Sequence, residues 1–189
     1  ISGRNLDKLE IISRNTKKKP KVFVAQSDDR VSLTNIAKKA NVIASLAGPF
    51  NKYSDNLVSE CVNNETHYVD ITGENLWVRE LIDKHHSKAE EKGIFIIPSC
   101  GYDSIPSDMG AYFCHKMLNR PILCIDGYHT GNGGISGGTT ETGFTMSDYR
   151  TKHKIGNPFL LNPGDKLTEI QKKNSKDTFS IRKINKINR

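Results

Sequence analysis

The stretch GIFIIPSCGYDSIPSDMGAYFCHKML, residues 93–118, shows the fold of this chain on a small scale. An apolar run of strand type is followed by a corner at Gly101, and apolar residues then recur at helical spacing from about Ser104. Pro106 falls in the first turn of that helix, where an amide partner is not needed. The stretch therefore predicts a strand, a tight turn and a helix whose amides Asp103 and Ser104 cap.

The same alternation of strand and helix extends from this stretch toward the N-terminus. Strand-type runs are KVFVAQ, NVIASLAG and THYVDITG. Helical spacing is found in NLDKLEIISR, SLTNIAKKA with Ser32 as its cap, YSDNLVSECVNN, and NLWVRELIDKHHSKAEEKG with Gly93 as its stop. The strands are almost entirely apolar, as strands buried on both faces are. The alternation predicts an α/β fold with a mostly parallel sheet covered by helices on both sides.

The pattern changes beyond Pro121. PILCIDGYHT is of strand type, GNGGISGGTTETG is a glycine-rich loop, and TTETGFTMSDYR has helical character. We expect a first domain over residues 1–120, the beginning of a second domain over 121–165, and a basic, polar tail over 166–189.

Charge and hydropathy exclude some classes of function. The 189 residues carry a net charge of +7, with much of the excess in KKKPK at 17–21 and after Lys166. No aromatic side chains are interleaved there to stack on bases, so we expect no nucleic-acid partner. No apolar run approaches the roughly 18 residues of a membrane span, and the N-terminus does not have the pattern of a signal peptide.

The four cysteines do not indicate a metal site. No pair has C-x-x-C spacing, so zinc is not expected. Cys61, Cys114 and Cys124 lie in apolar patterns that predict buried, reduced thiols. Cys100 lies at a strand end, but no histidine is placed beside it to activate a nucleophile.

Ligands of open parallel sheets bind beyond the carboxyl ends of the strands, so those positions contain the candidate residues. Arg4 follows the first strand-like residues and suits a 2′-phosphate, or is a surface arginine at a helix start. Asp28 contacts an adenine edge, or it stabilises a helix N-terminus together with Asp29 through its negative charge. Asp70 contacts a ligand or caps its own turn through Thr72.

One glycine turn and three histidines are further positions to interpret. The sequence Ala47-Gly48-Pro49 lets the backbone approach a flat ligand, or forms a tight turn. His85 and His86 are expected in solvent on a polar helix region. His129 ends a strand beside the glycine-rich loop and is a candidate substrate contact.

In their order and spacing, GRN, SLAGPF, HYVDITGE and CGYDSIPSDMG resemble the saccharopine dehydrogenase-like oxidoreductases. That family is related to the saccharopine reductases of lysine metabolism and to the trans-acting enoyl reductases. The resemblance covers roughly residues 1–165 and is best over 42–74 and 93–110. SGGT at 136–139 and NPFLLNPGD at 157–165 are similar to the same branch.

The resemblance implies a Rossmann-like, doubly wound parallel sheet that binds NADP or NAD over residues 1–120, followed by the start of an α+β substrate domain over 121–165. The positions that match cofactor-binding residues of the family are Arg4 and Asn5 at the adenosine phosphate, Asp28 at the adenine, Leu46, Gly48 and Pro49 near the nicotinamide ribose, and Gly101 and Asp103 on the nicotinamide side. No catalytic residue and no metal ligand is assigned.

One departure from the family is large. No strand followed by a G-x-G-x-x-G turn precedes Ile1, so the Rossmann-like sheet is expected to lack its first strand. That strand is central, and without it the next two strands lose their link to the remaining strands. We expect a fragment of a longer protein that alone is marginally stable, binds dinucleotide poorly and is inactive.

The function expected of the full-length protein is NAD(P)-dependent hydride transfer on a lipid-like or amino-acid-derived small molecule. The alternative is a non-catalytic Rossmann scaffold that associates with a lipid surface or a protein partner. The resemblance leaves open a homodimer formed through a further domain. It also leaves open whether the intracellular location is cytosol, mitochondrion or lipid-droplet surface.

Overall fold

The computed structural model describes residues 1–118, 120–122, 125–129, 134, 137, 139–144, 160–162 and 168–174. Strands and helices alternate through residue 117 in the order β1 (Ser2–Gly3), α1 (Leu6–Asn15), β2 (Phe23–Val24), α2 (Arg30–Ala37), β3 (Val42–Ser45), α3 (Phe50–Tyr53), α4 (Asp55–Asn63), β4 (His67–Asp70), α5 (Asn75–Glu91), β5 (Ile96–Ile97) and α6 (Ile105–Met117). This order confirms the α/β fold that the sequence predicts.

All of these strands pair in parallel, but they form two separate sheets. β1 pairs with β2, with Gly3 opposite Val24. β4 lies between β3 and β5, with Ser45 opposite Asp70 and Val69 opposite Ile97. Strand directions therefore agree with a Rossmann-like arrangement. The strands form one sheet of two and one sheet of three, as the sequence predicts for a sheet without its central strand.

The two sheets are connected through the packing of α2 against α4. The carboxylate of Glu60, buried on α4, accepts a hydrogen bond of 2.8 Å from the Thr34 hydroxyl and lies 3.5 Å from the Arg30 guanidinium. The Thr66 hydroxyl donates to the Ala37 carbonyl at 2.8 Å, which fixes the end of α2 against the start of β4. These polar contacts replace strand pairing as the link between the sheets.

The hydrophobic core lies between the three-stranded sheet and the helices α4 and α5. Its centre is the ring pair of Phe50 and Trp77, whose centroids are 6.1 Å apart. The other buried members are Val58, Cys61, Val62, Tyr68, Val78, Leu81, Ala89 and Ile94. Burial raises the pKa of the Cys61 thiol to about 12, so this cysteine is an unreactive core residue, as predicted.

The helix ends agree only in part with the sequence predictions. α2 begins at Arg30, two residues before the predicted cap Ser32, because the Asp29 carboxylate accepts hydrogen bonds from the amides of Val31 and Ser32. α6 begins after Ser104 with Pro106 in its first turn, but the Ser104 side chain makes no capping bond. Gly93 ends α5 with a φ of +63°, the left-handed conformation that suits glycine.

α6 contains no buried residue, so the prediction of a buried Cys114 is wrong: its side chain is only half-buried. Cys124 lies outside the described residues. Exposed apolar side chains line this helix at Ile105, Met109, Tyr112, Phe113 and Met117.

Past α6, residues 139–144 are helical, in agreement with the helix predicted there, and α7 covers Glu169–Asn174. Residues 121–122 and 125–129 have no regular secondary structure, although the sequence suggests a strand. Residues 131–133, 135, 136 and 138 of the glycine-rich loop and most of NPFLLNPGD lie outside the described residues. Within those residues, no helix is long and apolar enough to span a membrane.

His85 is buried on α5, so the prediction of a solvated side chain is wrong for it, whereas His86 is exposed. The Nε2 atom of His85 is buried without a hydrogen-bond partner. Burial lowers the pKa of His85, Lys84 and Lys88 lower it further, and Asp55 partly offsets them. The neutral imidazole is therefore the form that the folded protein favours.

We expect acid to destabilise the fold through His85. Its pKa is lower in the folded than in the unfolded state, so the unfolded chain binds the proton first, and the free energy of unfolding falls as the pH drops below about 6.5. Urea unfolding at several pH values measures this slope. A His85→Leu variant should lose most of the slope between pH 7.5 and 5.5, and His86→Leu should retain it. Equal slopes in the wild type and His85→Leu would contradict the assignment.

Candidate functional site

The first part of the candidate site lies at the carboxyl ends of β1 and β2. The Ala25 amide donates to the Gly3 carbonyl at 3.0 Å, which keeps the two strand ends side by side. Arg4 follows β1, is exposed, and forms no ion pair with any residue that the structure describes. Its guanidinium is therefore available to an anion.

Neighbouring polar residues at this end divide into capping residues and exposed ones. The Asn5 side-chain oxygen accepts from the Lys8 amide at 2.9 Å, so it is the N-cap of α1. Asp29 caps α2 in the same manner. Asp28 is exposed and does not cap α2, so of the two aspartates it is the one available to a ligand.

The second part of the site lies at the carboxyl ends of β3, β4 and β5. Leu46 follows β3 directly and is 74 % exposed, which is unusual for a leucine beside a core strand. The peptide bond between Gly48 and Pro49 is cis, and Pro49 is buried. A Cβ at Gly48 would lie 3.2 Å from the Phe50 ring. The loop thus presents backbone and one apolar side chain to solvent.

A buried carboxylate holds this loop in place. Glu74 is fully buried, and its two carboxylate oxygens accept from the amides of Phe50 at 2.8 Å and Asn51 at 2.7 Å. The Thr72 hydroxyl accepts from the Glu74 amide at 3.0 Å. Thr142, in the helical residues 139–144, contacts the same carboxylate at 3.5 Å. Glu74 therefore satisfies the first amides of α3 and fixes the loop that contains Gly48 and Pro49.

Asp70 has the corresponding role at the end of β4. Its carboxylate accepts from the amides of Thr72 and Ser99, both at 2.9 Å, and from the Tyr68 hydroxyl at 3.0 Å. Burial raises the pKa of Asp70, and the three donors lower it only in part. Burial likewise raises the pKa of Tyr68, which stays a phenol. Of the two interpretations of Asp70, the structure supports the turn-capping one.

The turn after β5 borders the same opening. Gly101 lies against Ile71: a Cβ there would be 3.1 Å from the Ile71 Cβ, so this position accepts no side chain unless Ile71 moves. Asp103 is exposed two residues later. The thiol of Cys100 donates to the Ile97 carbonyl at 3.3 Å, and burial raises its pKa, so it is not an activated nucleophile.

His129 contacts this turn from the part of the chain that follows α6. Its Nε2 atom lies 3.3 Å from the Ser107 hydroxyl, and its ring meets the Tyr102 ring edge-on with centroids 6.2 Å apart. All three side chains are exposed. The contact places an imidazole ring at the strand-end opening.

The predicted site residues thus fall into two groups. Arg4, Asn5 and Asp28 lie at the end of the two-stranded sheet, and Leu46, Gly48, Pro49, Gly101 and Asp103 at the ends of the three-stranded sheet. Sequence reasoning did not identify Glu74. The signal was present, because an acidic residue in DITGE follows a buried strand, but it resembles an ordinary charge at a helix start.

Comparison with known proteins shows the family of the chain. The family described as saccharopine dehydrogenase NADP binding domain matches residues 1–97, just over half of the chain. The chain belongs to that family. Within it, the chain is 33 % identical to a lipid droplet localized protein of Caenorhabditis elegans and 30 % identical to a saccharopine dehydrogenase-like oxidoreductase of Rattus norvegicus, over 75 % and 72 % of its length.

A further sequence relative and a solved structure are also similar to the chain. It is 28 % identical over 154 residues to a putative trans-acting enoyl reductase of Mycobacterium tuberculosis. The solved structure of apo saccharopine dehydrogenase (L-Glu forming) from Saccharomyces cerevisiae superposes with a TM-score of 0.52 over 61 % of this chain and 24 % of the yeast chain. At 18 % identity that likeness concerns the fold alone, which is of the Rossmann type. The chain spans about a third of the length of these curated relatives.

Proposed function

We propose that the carboxyl ends of these strands bind NADP(H), and that the full-length protein transfers a hydride between this cofactor and a lipid-like or amino-acid-derived small molecule. The observation that supports the cofactor most directly is Arg4, an exposed arginine without a carboxylate partner among the described residues, immediately after β1. A guanidinium at the end of an early Rossmann strand suits a 2′-phosphate, whereas NAD sites more often have an acidic residue there.

The residues of the second group fit the other half of a dinucleotide. Leu46 offers an exposed apolar side chain for a flat ring to contact. Gly48 and Gly101 keep the adjoining loops free of side chains, and a Cβ at Gly73 would meet nothing within 4 Å. This combination of an apolar contact and bare backbone is what close approach of a ribose and a planar ring requires.

The chemistry asks for few reacting side chains. NADPH, when bound, supplies the hydride. His129 would contact the substrate, with its ring held by the Ser107 hydroxyl 3.3 Å from Nε2. Tyr102 contacts the His129 ring, and Met109 and Phe113 are exposed apolar residues that follow Ser107 on α6; this apolar surface favours a lipid-like substrate over an amino-acid derivative.

The role of Arg4 is measurable even where the whole dinucleotide binds weakly. We expect the chain to bind 2′,5′-ADP about tenfold or more tightly than 5′-ADP in NMR titrations, because a charge-assisted contact to phosphate contributes about 1.5–3 kcal/mol. Arg4→Ala should abolish this preference. Arg14→Ala is the matched control: Arg14 lies at the other end of α1 and pairs with Glu10, so its loss should leave the preference unchanged.

Equal affinities for the two nucleotides in the wild-type chain would contradict the NADP assignment. Binding of neither nucleotide would favour the second candidate function, a non-catalytic scaffold. One comparison supports that candidate: the Caenorhabditis elegans relative is named for its location on lipid droplets and not for an activity. Saturable nucleotide binding at Arg4 favours the oxidoreductase.

A further inference from the structure

The edge of the sheets opposite the candidate site is strongly basic. In parallel strands, the connections that return from helix to strand all lie at the amino edge. Two of these connections contain six exposed lysines, which we call the lysine edge: Lys17, Lys18, Lys19 and Lys21 before β2, and Lys38 and Lys39 before β3. None of the six pairs with a carboxylate of the described residues, in contrast to Lys84 with Asp55 and Lys92 with Glu65.

The lysine edge is continuous across the gap between the two sheets. The Lys39 ammonium lies 4.7 Å from the centroid of the Phe23 ring on β2, although Lys39 itself precedes β3. The Phe23 amide donates to the Ile1 carbonyl at 3.0 Å, which holds the start of β1 at the same edge. Lysines from both connections therefore belong to one surface.

Apolar side chains lie at the strand starts of this same edge. Ile1, Val42 and Phe95 immediately precede or begin β1, β3 and β5, and they are 42 %, 52 % and 65 % exposed. The Phe95 ring packs against the His67 ring, with centroids 5.4 Å apart. These exposed apolar groups therefore lie at the same edge of the sheets as the lysines.

We propose that the lysine edge binds the surface of phospholipid membranes or monolayers that contain anionic headgroups. Lysines attract the negative headgroups, and the apolar side chains enter the boundary between headgroups and acyl chains. Two of the three apolar residues are aliphatic and cannot stack on bases, which favours lipid over nucleic acid. Since the edge lies opposite Arg4 and Leu46, lipid binding leaves the cofactor site open and holds whether or not the protein is an enzyme.

The test is sedimentation of the 189-residue chain with vesicles of phosphatidylcholine that contain about 30 % phosphatidylserine or none. A lysine near an anionic surface raises binding about fivefold, so the triple variant Lys17→Gln, Lys18→Gln, Lys38→Gln should bind the anionic vesicles roughly 100-fold more weakly. The matched variant Lys8→Gln, Lys116→Gln, Lys173→Gln lowers the net charge from +7 to the same +4 elsewhere and should retain most binding. Salt at about 0.5 M should reduce wild-type binding.

A fluorescence measurement tests the orientation independently. Trp77 is the single native tryptophan and is buried, so in Phe95→Trp the exposed indole reports on the edge. Its emission should shift to the blue with anionic vesicles only. Equal loss of binding in both triple variants, no vesicle binding by the wild type, or binding to a DNA duplex but not to vesicles would each overturn the proposal.

Discussion

Replacing Glu74 by alanine is expected to lower the free energy of unfolding by about 3–5 kcal/mol. The substitution leaves the amides of Phe50 and Asn51 without the acceptor that both now share. Water does not replace it easily, because Glu74 is fully buried. Urea unfolding followed by Trp77 fluorescence measures the change.

Two control variants separate this role from a general effect of charge. Glu74→Gln keeps one carbonyl acceptor and should lose about half as much stability. Glu91→Ala removes an exposed carboxylate from the end of α5, the helix that Glu74 precedes, and should change stability by less than about 0.5 kcal/mol. A Glu74→Ala loss as small as that of Glu91→Ala would show that the loop at Gly48 and Pro49 does not depend on this carboxylate.

Asp70→Ala is expected to have the next largest effect, a loss of about 2–4 kcal/mol. It removes the acceptor of two amides and one phenol, and the amides belong to the turns on either side of the site opening. Amide hydrogen exchange should speed up at Thr72 and Ser99 before the rest of the chain is affected.

Tyr68→Phe, which removes one donor but keeps the carboxylate, should leave the exchange of both amides slow. Asp28→Ala serves as the exposed control, with little change expected in stability. Unchanged exchange at Ser99 in Asp70→Ala would contradict the view that this carboxylate holds the turns together.

The fold was predictable because it depends on repeated local patterns. Apolar runs and helical spacing identified the strands and helices up to residue 117 except the short helix α3, and the order of strand ends identified the family. The helix caps were less predictable from the sequence. Asp29, not Ser32, caps α2, because the choice between two polar residues three positions apart depends on backbone geometry that composition does not specify.

The candidate site was predictable in location but not in its internal support. Parallel strands have their carboxyl ends at one edge of a sheet, and the sequence pattern locates those ends. Arg4, Leu46 and Gly101 therefore lie at the expected edge. The buried roles of Glu74 and His85 depend on contacts with α3 and α4, which lie 20 to 30 residues away in the chain. A charged or polar residue on a helix is usually exposed, and a prediction from sequence alone assumes this exposure.

The most direct test of the account is to map backbone amide shifts of the isotope-labelled chain on addition of NADPH. We predict shifts that saturate at the carboxyl ends of the strands, around Arg4, Asp28, Leu46 and Gly101, and none of similar size at Lys18 or Phe95. Shifts confined to the lysine edge would show that NADPH binds there only as a polyanion, and would contradict the placement of the cofactor site.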